Sequence, residues 1–87
     1  MLDPESGAAA NAMSQALALE KKFDDALHWN ARAISLAPTN ASFLVTRGNI
    51  ALDMKNKPAA REAFQAALAL DKKNTEAKKG LAKASKK

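Results

Sequence analysis

The chain offers few side chains for catalysis. His28 is the only imidazole and there is no cysteine, so a nucleophile with a partner base, or a metal site built on Cys and His, lacks its groups. His28 stands beside Trp29 without the spacing of a zinc helix, and reads as a solvated histidine on a helix face. Ser14 occupies a small-residue place in a helix pair, which makes it a spacer rather than a nucleophile. Gly7, Gly48 and Gly80 are scattered and cannot form a phosphate-cradling loop. Asp24 and Asp25 read as capping groups for free helix amides. Met13 and Met54 read as fillers of apolar gaps, and Trp29 as core or inter-repeat packing, with a partner anchor as its other use. What remains is recognition chemistry. Asparagine and glutamine side chains can hydrogen-bond a polypeptide backbone, leucine and valine can accept apolar side chains, and lysine can meet a carboxylate. The expectation is a binding protein, not an enzyme, that uses no cofactor and no metal.

Those residues need elements to hold them. Eighty-seven residues make one small domain, and without disulfides packing alone must hold it. Alanine occurs 21 times against four aromatics, so the core has to come from closely approaching helices. Residues 7–20 put Ala10, Met13, Ser14 and Leu17 on one face of an amphipathic helix. A second helix runs past Asp24 and Asp25 to about Ala37, where Pro38 stops it. Residues 41–54 form a third. Asn56 marks a turn, and Pro58 sits where a first-turn proline needs no donor, starting a fourth helix through about Leu70. Asn74 and Thr75 can cap a fifth, with Ala77, Leu81 and Ala84 as its apolar stripe. The prediction is an all-α fold of five helices with no strand.

The chain also repeats itself. Ala26, Ala33, Leu36 and Asn40 return as Ala60, Ala67, Leu70 and Asn74, each at an offset of 34 residues. Ser14 and Gly48 share that offset. The second unit reads Leu44-x2-Arg47-Gly48-x2-Ala51 followed by Ala60-x3-Phe64 and Ala67. The first reads Ala10-x2-Met13-Ser14-x2-Leu17 followed by Ala26-x3-Asn30, Ala33 and Pro38. This pattern resembles the tetratricopeptide repeat, a 34-residue helix–turn–helix unit. Against it, Arg47 stands for an apolar residue, Asn30 for an aromatic one and Lys72 for a proline. The resemblance implies a right-handed helix–turn–helix solenoid. Residues 1–6 would be the tail of a preceding repeat in a longer array, 7–40 the first repeat, 41–74 the second and 75–87 a C-terminal capping helix.

The resemblance further implies that the first helix of each repeat lines a concave groove for a peptide or helix of a protein partner. On this sequence the groove residues are Asn11, Gln15, Leu19, Ser42, Val45, Asn49, Leu52, Asp53, Lys79 and Lys83, with Glu76 at the border. Two rival functions remain open. The first is self-assembly into a homo-oligomer through a repeat face where Trp29 or Leu27 is exposed. The second is attraction of a basic tail to nucleic acid or an acidic membrane, for which only charge speaks. Residues 72–87 hold seven lysines against Glu76, whereas residues 1–71 hold seven Lys and Arg against eight Asp and Glu. No small-molecule substrate is expected. No apolar run reaches the roughly 18 residues of a membrane span, and no targeting segment is legible. The compartment stays open, with the cytoplasm slightly favoured.

Overall fold

The computed structural model describes residues 6–86. They form five helices: α1 (Gly7–Leu19), α2 (Phe23–Leu36), α3 (Ala41–Asp53), α4 (Lys57–Leu70) and α5 (Thr75–Ala84). There is no strand among the described residues. Apart from Ser6, the expected tail of a preceding repeat lies outside them.

Cap chemistry sets four of the five helix starts. The side chains of Ser6, Asn40, Asn56 and Asn74 accept from the backbone amides of Ala9, Ser42, Ala59 and Ala77, respectively, and Pro58 lies in the first turn of α4. Asn40 and Asn74, the pair that the 34-residue offset singled out, begin α3 and α5. Helix α2 departs from the expectation. Its N-cap is Lys22, which has no side-chain acceptor, and Asp24 and Asp25 fall inside the first turn. There they meet the positive end of the helix dipole without the side-chain cap bond found at the other four starts.

The two tight turns are copies of each other. Lys21 and Lys55, 34 residues apart, both adopt φ 62°. Around Lys21, its amide donates to Ala18 O (3.0 Å) and the next amide, of Lys22, donates to Leu17 O (2.9 Å). Around Lys55 the matching bonds run to Leu52 O (2.9 Å) and, from Asn56, to Ala51 O (2.8 Å). This doubly bonded left-handed ending reverses the chain and lays each second helix back against the first.

Sequential helices pack as neighbours, and α3 also touches both α1 and α5, so these three lie side by side. The molecule is a slab of 41 × 27 × 16 Å. Nine of the thirteen buried apolar residues are alanine, which lets the helix axes approach closely. Ala26, Ala33, Ala60 and Ala67 are all fully buried, while Leu36 and Leu70 match each other in staying about 40% exposed. Two apolar clusters form. One holds Ala10, Ala33 and Phe43 with Trp29, Ile34 and Ala37 against them. The other holds Val45, Ala51, Ala60, Phe64, Ala67, Ala77 and Ala84, with Leu44, Leu52 and Leu81 among those packed on it. Trp29 thus packs at the junction between helix pairs. Met13 and Met54 do not fill gaps: both are more than a third exposed, Met54 as the residue just past the end of α3.

Candidate functional site

Because α1, α3 and α5 lie side by side, residues four apart on each of them meet across the seams. One cleft, of about 210 Å³, is lined by Asn11 and Gln15 from α1, Ser42, Val45, Thr46 and Asn49 from α3, and Asn74 and Glu76 at the start of α5. A second, of about 350 Å³, joins Gln15, Ala18 and Leu19 of α1 to Thr46, Asn49, Ile50 and Asp53 of α3. Gln15, Thr46 and Asn49 line both, so the two clefts form one continuous depression over the α1–α3 seam.

Its floor is apolar and its walls are amides. Val45 and Ile50 are buried at 8% and 1% exposure and belong to the packing beneath, whereas Gln15, Ser42, Asn49 and Asp53 are exposed. Leu19, at 87% exposure, stands free at one end. Thr46 is tied down, its hydroxyl donating to Ser42 O at 3.2 Å. Asn11 is half-buried, and its Oδ1 is shut off from solvent without a hydrogen-bond partner among the described residues. A buried carbonyl oxygen left unpaired carries a desolvation cost that a donor from outside would remove.

Seven of the ten groove residues expected from the sequence line this depression: Asn11, Gln15, Leu19, Ser42, Val45, Asn49 and Asp53. The other three line neither cleft. Leu52 is half-buried on the cluster between α3, α4 and α5, and Lys79 and Lys83 are exposed on α5. Thr46, Ala18, Ile50 and Asn74 join the lining, although the fourfold spacing on single helices did not pick them out. A separate cleft of about 250 Å³ lies at the meeting of α2, α3 and α4, lined by Ile34, Leu44, Arg47, Ala59, Glu62, Ala63 and Ala66.

His28 is exposed and meets Trp29 edge to face, ring centroids 6.1 Å apart at 83°. Ser14 is fully buried, its hydroxyl donating to Ala26 O at 2.8 Å, which ties α1 to α2 and leaves no free nucleophile there. Among the described residues no group of three His, Cys, Asp or Glu side chains is placed to hold a metal, and no helix is long and apolar enough to cross a membrane.

A comparison with curated proteins found no match. Residues 41–74, which comprise α3, its tight turn and α4, match the family model of the tetratricopeptide repeat. Tetratricopeptide repeats serve in general as protein–protein interaction modules and are typically non-catalytic. With that match over its central helix pair, and with five helices packed as successive helix–turn–helix neighbours, the chain fits a tetratricopeptide-repeat-like protein.

Proposed function

We propose that the chain binds an extended peptide or a helix of a protein partner across the α1–α3 depression, contacting Asn11, Gln15, Ser42, Val45, Asn49 and the apolar end at Leu19. The observation that carries this reading is the pairing of an apolar floor with three amide side chains, one of which keeps a buried oxygen without a partner. Such amides satisfy a ligand's backbone whatever its sequence, and the floor beside Leu19 has room for an apolar side chain. Leu52, Lys79 and Lys83 are not needed for it. A groove this short gives weak affinity, micromolar or poorer, and gains strength by avidity where several grooves act together.

The test uses peptides selected against the full chain from a random displayed library. Asn49→Ala is expected to weaken their binding by about 0.5–1.5 kcal/mol, the worth of a hydrogen bond to the ligand backbone. Glu62→Ala, in the separate cleft, leaves it unchanged. Equal binding by Asn49→Ala and the parent chain, with loss on changing Trp29 instead, overturns the groove. Self-assembly has less support on this surface, since Trp29 is partly buried in the junction cluster and Leu27 is also partly buried.

A further inference from the structure

The excess positive charge of this chain is placed by the fold. Helices α4 and α5 run antiparallel, and the start of α4 reaches the end of α5 through two side chains. Lys57 Nζ donates to Lys86 O at 2.6 Å, and Arg61 Nη1 donates to Ala84 O at 3.0 Å. Lys83 stands in the last turn of α5, and Lys55 in the turn before α4. Five cations therefore gather at one end of the α4–α5 hairpin: Lys55, Lys57, Arg61, Lys83 and Lys86.

Little opposes them. The carboxylates nearest them in the chain are Glu62, which lines the separate cleft, and Asp53, which lines the groove, while Glu20, Asp24 and Asp25 belong to the α1–α2 turn beyond Asp53. None of these forms an ion pair with the five cations among the described residues, where Lys22 with Glu20 is the pair found. Asp71 and Glu76 lie at the opposite end of the hairpin. The helix ends do not neutralise the cluster either. The C-terminus of α5 carries about half a negative charge, and the adjacent N-terminus of α4 about half a positive one. Outside these five the described residues mix their signs, with eight Lys and Arg against seven Asp and Glu. A merely solvated surface would serve with either sign, whereas this end accepts the self-repulsion of like charges.

We propose that this basic end of the α4–α5 hairpin docks an acidic segment of a protein partner. Charge complementarity selects the class, and what is missing narrows it. Phe64 is the one aromatic of the hairpin and is fully buried, so no ring is free to stack a nucleic-acid base. Helix α5 exposes no large apolar residue, so it has no face to insert among lipids. The surface stands apart from the groove and does not depend on it.

The probe is a short labelled peptide of alternating Glu and Ala, titrated into the full chain at low salt and followed by fluorescence anisotropy. Binding is expected to fall as ionic strength rises. K83E/K86E is expected to weaken it about tenfold. Lys86 holds the Lys57 clasp through its backbone carbonyl, so both hairpin clasps survive the change, and circular dichroism verifies the fold. K72E/K73E alters net charge by the same amount in the α4–α5 loop, about 20 Å away along α4, and is expected to keep most of the affinity. The neutral K83Q/K86Q falls between K83E/K86E and the parent chain. Asn49→Ala, which tests the groove, leaves this peptide unaffected. Equal losses in K83E/K86E and K72E/K73E, no loss in K83E/K86E, or tighter binding of duplex DNA or anionic vesicles at the same salt would each overturn the proposal.

Discussion

The chain contains two junctions between successive helix pairs, and they solve the same packing problem differently. In the first, where α1 and α2 meet α3, the central residues are Ser14, Asn30 and Phe43. In the second, where α3 and α4 meet α5, the residues at the same 34-residue offset are Gly48, Phe64 and Ala77. The aromatic ring has changed sides. Phe64 comes from the second helix of its pair and is fully buried, pressed against Gly48 and Gly80 so tightly that a Cβ on either would overlap its ring. In the first junction the ring comes from the following helix instead. Phe43 packs toward Gly7, and the place equivalent to Phe64 is held by Asn30, also fully buried. Asn30 donates to Phe43 O at 2.9 Å, while its own Oδ1 has no partner among the described residues. One junction is thus made by shape, with glycines hollowed out around a ring. The other packs an apolar cluster around Phe43, adds one hydrogen bond from Asn30 and leaves an acceptor without a partner among the described residues. A repeat backbone tolerates either, provided that the residues facing each other across the junction change together.

The sharpest way to break this comparison is at Phe64. Phe64→Ala is expected to cost about 3–5 kcal/mol, since the ring fills the space between three helices, and that is most of the stability of a domain this size. Urea unfolding measures it. A loss below about 2 kcal/mol would show that the second junction does not rest on its ring.

Gly80 comes next. Gly80→Val places a side chain where the Phe64 ring already lies, with Gly48 also pressed against that ring, and is expected to cost about 1–3 kcal/mol by overpacking. The equivalent place in the first junction is Thr46, so Thr46→Val is expected to be far milder. Thermal unfolding of the two variants side by side decides it, and similar drops would erase the distinction.

The smallest effect is expected at Asn30. Asn30→Leu removes the bond to Phe43 O together with the unpaired Oδ1. These contributions oppose each other, and the net change is expected to stay within about 1 kcal/mol. A loss well beyond that in denaturant titration would mean that the Asn30 oxygen is satisfied and that the first junction is as demanding as the second.

Much of this architecture is legible in the chain itself. The 34-residue offset marks Ala26, Ala33, Ala60 and Ala67, all of which are fully buried, and it marks Asn40 and Asn74, both of which cap the next helix. Local chemistry suffices there, because a helix start needs an acceptor at one position and a close contact needs a small residue at another. Helix α2 is the local exception, since its acidic pair sits two and three residues too late to serve as the N-cap. The lining of the α1–α3 depression was legible in part. Fourfold spacing found residues on the flank of α1 and α3 that lines the depression, but it could not separate Val45, which lines it, from Leu52, seven residues or about two turns on, which packs on the same apolar cluster outside it.

By itself, then, the sequence determined five helices, the caps of all but α2, the 34-residue offset and the small residues at which helices approach. Each of these depends on a window of a few residues or on strict periodicity. Only the tertiary structure decided that Gly80 makes room for Phe64, that Phe43 and Asn30 exchange size across the first junction, and that Lys57 and Arg61 reach the end of α5. Those contacts join residues 13 to 29 positions apart whose side chains must fit together in volume and charge, and no spacing rule within a single helix contains that condition.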